Sequence, residues 1–206
     1  MDGFSCKGIL DALWLLLGDP RLRRQLYVAG GILPWLLLGE DSGRLHGDAD
    51  LLAQLEDMSA VREALAGLGL YQREGDSRLF SCNRTGEDYG QEVLVEGIPV
   101  HVTPFIVIEG RLIQRSFFRN RAEGWDILLR AEVEGVALED YVERRTLPDG
   151  RRLGTLTLEV VRAAKERTGR EKDRTDLQAL SRLPFSPERY ARVAGPVGGM
   201  RVEAVW

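Results

Sequence analysis

Residues 27–52, YVAGGILPWLLLGEDSGRLHGDADLL, constrain this chain more than any other stretch. They read as a short apolar strand, a Gly-Gly turn, a helix, a polar loop and a second strand carrying Asp48 and Asp50. Side chains at i and i+2 of a strand share a face, so the two carboxylates project together, about 7 Å apart along the backbone at the usual strand rise. Like charges held side by side need a cation between them. Hard carboxylate oxygens suit Mg²⁺.

Gly30 and Gly31 supply the complementary half. Residues 27–29 form a plausible buried strand, and residues 32–38 are too apolar for a loop. Pro34 falls in the first turn of the helix, where its missing N–H costs nothing. Glycines at a strand-to-helix turn allow close approach to the backbone, and the free N–H groups there favour a phosphate. A plain turn and a plain solvated Asp-Ala-Asp loop remain the alternative. It must explain both features by coincidence.

With these residues in view, the chain resembles the DNA polymerase β-like nucleotidyltransferase superfamily. The resemblance is closest to its small bacterial branches: the aminoglycoside and lincosamide nucleotidyltransferases and the toxin-type enzymes. Gly30, Gly31, Arg44, His46, Gly47, Asp48, Asp50 and Leu51 carry it. It implies that Gly30 and Gly31, with Arg44 and His46, meet the nucleotide triphosphate. It also implies that Asp48 and Asp50 bind Mg²⁺ and are catalytic.

Composition narrows the rest. At 206 residues the chain can bury a sizeable core. A 44% hydrophobic and 29% charged content is that of an ordinary globular chain. The net charge of −4 offers no general basic footprint for DNA. Cys6 and Cys82 make no disulfide framework and are expected to be reduced, in a cytoplasmic protein. No apolar run approaches the length of a membrane span.

Along the chain, residues 4–26 read as one or two helices, with Arg21, Arg23 and Arg24 on a solvated face. A helix capped by Ser59 carries Val61, Leu65 and Leu68 and ends at Gly67 or Gly69. Residues 70–73 and 78–83 read as strands, and residues 92–95 and 98–103 as a tight hairpin around Glu96-Gly97. The family usually places its third carboxylate on this second hairpin strand, where it completes the metal site and activates the acceptor hydroxyl. Here Val100-His101-Val102 stands in that place.

Three readings stay open. His101 is itself the base, an imidazole having a suitable pKa near 6.5. Alternatively Glu92 substitutes, because a two-residue turn pairs it with His101 on one face. In the third reading catalysis is lost and the protein binds only a nucleotide or a protein partner.

Residues 105–108 continue a strand, and residues 111–121 read as an amphipathic segment packed on the core. Residues 125–131 read as a short helix. Residues 156–167 and 171–180 read as two helices broken at Gly169. The motif K-x-x-x-G-R-x-K-D-x-x-D within them again resembles the small nucleotidyltransferases. It implies that Lys165 and Lys172, with Arg170 and Asp173, lie near the nucleotide. Local pairing of Lys172 with Asp176 is the alternative. From residue 184 the tail reads as an irregular extension docking Val202, Val205 and Trp206.

The expected architecture is α+β: a small twisted mixed sheet of about five strands with helices on one face, as in the nucleotidyltransferase fold, and a short helical C-terminal part. Residues 1–150 would form the nucleotidyltransferase-like core, with residues 151–206 packed on it. The expected function is Mg²⁺-dependent transfer of an NMP from an NTP to an acceptor hydroxyl on a small molecule, RNA or protein.

Overall fold

The computed structural model describes residues 3–71, 85–120, 125–147 and 149–205. Its class is α+β with a mixed, open sheet, as the sequence leads one to expect. The described residues form nine strands rather than about five. These are β1 (Leu26–Val28), β2 (Ala49–Gln54), β3 (Gln91–Val95), β4 (Ile98–Ile108), β5 (Arg111–Asn120), β6 (Trp125–Glu134), β7 (Val142–Thr146), β8 (Arg152–Leu156) and β9 (Arg201–Val205). The order is β7-β8-β1-β2-β4-β5-β6-β9, with β3 paired to β4. β1 runs antiparallel to β2 and parallel to β8, and β2 runs parallel to β4.

Among the described residues eight α-helices accompany the sheet: α1 (Cys6–Leu17), α2 (Pro20–Gln25), α3 (Leu33–Leu38), α4 (Met58–Gly67), α5 (Leu138–Tyr141), α6 (Leu158–Thr168), α7 (Glu171–Leu180) and α8 (Pro187–Gly198). Their starts are written locally. The Ser5 hydroxyl caps α1, Asp19 caps α2 ahead of Pro20, and Thr157 caps α6. Pro34 lies in the first turn of α3, as expected. α4 begins one residue before Ser59, its cap position being Asp57 after a 3₁₀ turn at Leu55–Asp57.

Helices cover both faces of the sheet, not one. Val28, Leu51, Ala53, Val100 and Val102 pack with α1 to α4. Their strand neighbours Tyr27, Leu52 and Phe105 face the other way, onto Tyr141 of α5, Val160 and Ala163 of α6, and Val193 and Val197 of α8. The reason is in the strands: β1 and the end of β2 are apolar on successive residues, so both faces need cover.

Three further expectations change. Residues 125–131 are strand, not helix, because β6 is paired along its length with β5 and on its far edge with β9. A short apolar run does not reveal its period by itself, and the cross-strand partners decide. The segment from 111 is likewise strand β5. The tail is ordered: Ser186 caps α8 through its hydroxyl, Pro187 occupies the first helical turn, and β9 extends the sheet. Val205 packs near Phe117 and Leu128, Val202 is 49% exposed, and Trp206 lies outside the described residues. So do nearly all of the strands expected at 70–73 and 78–83, and Cys82. Cys6 is buried and unbridged. Among the described residues no helix is long and apolar enough to cross a membrane.

Candidate active site

Asp50 and Leu52 share a face of β2, and Leu52 lies in the core beneath α6. Asp50 therefore opens onto the same side, where α6 and α7 overhang the sheet. Asp48, one residue before β2, is exposed beside it. A cleft of about 440 Å³ forms there, and Gly30, Gly31, Arg44, His46, Asp48, Asp50, Lys165 and Lys172 all line it. Eight residues expected at the site from separate parts of the sequence thus meet in one place.

The glycine turn is shaped by its carboxylate. Gly30 has φ +70°, and a Cβ there would lie 2.0 Å from Asp50 Oδ2. Only glycine tolerates both the left-handed backbone and this approach. A Cβ on Gly31 would lie 2.6 Å from the Arg44 guanidinium. The Ala29 N–H donates to the Asp50 carbonyl at 3.0 Å, fixing the turn to β2.

Opposite the carboxylates stands a wall of cations built on two buried anions. Asp176 on α7 accepts from Lys165 Nζ at 2.6 Å, from Arg44 Nη2 at 2.9 and 3.1 Å, and from Trp35 Nε1 at 3.0 Å. Asp173 accepts from Arg170 Nε at 2.8 Å and the Thr168 hydroxyl at 2.7 Å, with Lys165 Nζ at 3.4 Å. Burial opposes ionisation of both aspartates, but these donors hold both carboxyls below the usual carboxylate range. Lys172 is exposed at the cleft and makes no ion pair among the described residues. The alternative pairing of Lys172 with Asp176 is therefore not what forms. A carboxylate with no exposed surface takes the buried lysine instead.

Asp176 is the residue that sequence reasoning undervalued. Its signal was the Asp173/Asp176 spacing, which places both on one face of α7.

His46 is buried, with Nε2 2.8 Å from the Ser42 hydroxyl. Burial, then the Arg44 charge, pushes its pKa down to about 4, so it is neutral at pH 7. Its backbone exchanges hydrogen bonds with Phe4, so it anchors the loop leading to Asp48.

His101 sits opposite Asp50 in the β2–β4 ladder and opposite Glu92 in the β3–β4 ladder. Its Nε2 is 3.0 Å from Glu92 Oε2 and 3.8 Å from Asp48 Oδ2. Burial disfavours the imidazolium, but Glu92, Asp48 and Asp50 outweigh it and raise the His101 pKa. Glu92 is 5% exposed and stands behind His101; neither side chain lines the cleft, and His101 meets the site through Asp48.

Burial, then the Asp48 charge, pushes the Asp50 carboxyl up, against the nearby His101, Lys172 and Lys165. A divalent cation between the two carboxylates would relieve that repulsion, and their oxygens are the donors Mg²⁺ prefers. Among the described residues no group of three His, Cys, Asp or Glu side chains is arranged to enclose a metal. The donor set fits an open site, in which two carboxylates share the ion with water and phosphate oxygens.

No family model matches the chain, and no curated protein matches it. Solved structures do. The solution structure of the antibiotic-resistance factor ANT(2'')-Ia is similar with a TM-score of 0.51 at 13% identity, covering 91% of this chain and 88% of that one. The lincomycin-bound crystal structure of the lincosamide antibiotic adenylyltransferase LnuA gives 0.49 at 14% identity, covering 87% of this chain and 98% of that one. At such identities the likeness is one of fold.

Proposed function

We propose that this chain, which has the nucleotidyltransferase fold, moves a nucleoside monophosphate from an NTP to the hydroxyl of an acceptor. The observation that carries this reading is the lateral order of groups at the site. Across the sheet come the cations beside β8 and β1, the Gly30-Gly31 turn, Asp48 and Asp50 at the start of β2, then His101 and Glu92 on β4 and β3. That is the order in which a triphosphate, its α-phosphorus and an attacking hydroxyl would be met.

Lys165, Lys172 and Arg170 would hold the β- and γ-phosphates, as point charges and a guanidinium fork. Asp48 and Asp50 would hold Mg²⁺, which when bound neutralises charge developing on the transferred phosphoryl group and the leaving pyrophosphate. The acceptor oxygen bonds to the α-phosphorus, the bond from that phosphorus to pyrophosphate breaks, and the hydroxyl proton passes to the His101–Glu92 pair. The raised pKa of His101 means the pair already holds that proton at low pH. Transfer therefore speeds up as pH rises through that pKa.

A second reading has its own support. His101, engaged by Glu92, stands on β4 where the resemblance to the family leads one to expect a third carboxylate. It fits a protein that binds Mg²⁺·NTP without turnover. The test is pyrophosphate release from each NTP with Mg²⁺, in the presence of small-molecule, RNA and protein acceptors. Transfer predicts release that needs Mg²⁺ and disappears in Asp48→Asn. Nucleotide binding with no release under any acceptor selects the silent reading.

A further inference from the structure

Eight large apolar side chains are exposed among the described residues, and of these only Phe118 lines the cleft. Single exposed apolar residues need no explanation. One facing two carboxylates at a candidate reaction centre does. Phe118 is 63% exposed, whereas its neighbour Phe117 is buried against Tyr89 and Leu128.

Alternation sets the direction. Leu112 packs into the core beneath α6, and the β5–β6 ladder is regular from Arg111 to Asn120. Phe118, six residues on, turns to the same side of β5 as Leu112, and the ring of its neighbour Phe117 lies 5.7 Å, centroid to centroid, from that of His101. With Phe117 against His101 and Phe118 lining the cleft, β5 reaches the His101 end of the site, and in the strand order β4 and β2 lie between β5 and the β1 strand that leads into the glycine turn.

We infer that Phe118 is a contact for the acceptor: it stacks on the flat face of the ring that bears or adjoins the attacking hydroxyl. This rests on the transfer reading above. Phosphates drawn to the cations anchor the nucleotide on the far side of Asp48 and Asp50, so the molecule reaching Phe118 is the one that approaches past His101. An aromatic face accepts a nucleobase by stacking, and equally the C–H face of a sugar ring. The shared chemistry is a ring with one weakly polar face beside a hydroxyl.

The experiment titrates adenosine, and separately methyl α-D-glucopyranoside, into protein saturated with Mg²⁺ and a non-hydrolysable NTP analogue. Binding is read by NMR for wild type, Phe118→Ala and Phe118→Tyr. Expected is binding of at least one probe to wild type, a loss of at least about five-fold in Phe118→Ala, recovery in Phe118→Tyr, and unchanged affinity for the analogue. The probe that binds identifies the ring.

Failure of both probes to bind wild type, equal probe affinity in Phe118→Ala, or a fall in analogue affinity in that variant would each overturn the inference. If the analogue itself fails to bind wild type, the transfer reading fails on its own account. The same probes titrated without nucleotide then judge Phe118 by the same five-fold loss.

Discussion

Asp176 shows how much of the site depends on one carboxylate. With no exposed surface, it joins Trp35 of α3, Arg44 of the loop before β2 and Lys165 of α6. Removing one partner of a buried pair leaves the other charge stranded, which typically costs about 3–5 kcal/mol. Asp176→Ala is expected to lose about that much in urea unfolding, and adding Lys165→Met should recover part of it. No recovery would mean that Lys165 is not the charge Asp176 serves.

His101 makes a different prediction at this scale. Its folded pKa is raised above the unfolded value near 6.5. Its pairing therefore stabilises the fold fully below pH 6.5, and that stabilisation fades as pH rises through the folded pKa. Thermal melts across this window should show the wild type's margin over His101→Asn shrinking with increasing pH. A margin independent of pH would contradict the ion pair with Glu92.

Among the elements, α6 carries most consequence, because it bears Lys165 and roofs the cleft. Its start depends on Thr157, whose hydroxyl donates to the Asp140 carbonyl at 2.7 Å and accepts from the Val160 N–H. Losing such a cap costs about 1–2 kcal/mol. Thr157→Ala should show that loss in denaturant titration, and Thr157→Ser should restore most of it.

α6, α7, α3 and the β3–β4 hairpin were legible in the sequence because their signals are local: a capping hydroxyl, Gly169 in the left-handed region, Pro34 at a helix start, a two-residue turn. β6, β7, β8 and β9 were not. β8 is set by pairing with β1, more than a hundred residues upstream, and β9 by pairing with β6. Such long-range partners leave no period in a short segment. The hub at Asp176 was hidden for the same reason, its donors lying on three separate elements.

At the scale of the molecule, the fold brings the acidic start of the interior strand β2 against a basic wall carried mainly by α6 and α7. Asp48 and Asp50 face Arg44, Lys165, Arg170 and Lys172 across one cleft. The residues of the carboxylate pair and the glycine turn were visible in the sequence. Their opposition to Lys165 and Arg44 became visible only with the fold, because it depends on α6 and α7 returning over β1 and β2. That opposition is what an Mg²⁺·triphosphate complex matches, with metal on one side and phosphates on the other.

Calorimetric titration of the four NTPs tests this most directly, with and without Mg²⁺, on wild type and on the Asp48→Asn, Asp50→Asn double variant. Wild type is expected to bind at least one NTP, more tightly with Mg²⁺, and the double variant to keep its fold while losing the Mg²⁺-dependent part. Binding that is indifferent to Mg²⁺ and to both substitutions, or no binding to wild type, would contradict the assignment of this cleft as a metal–nucleotide site.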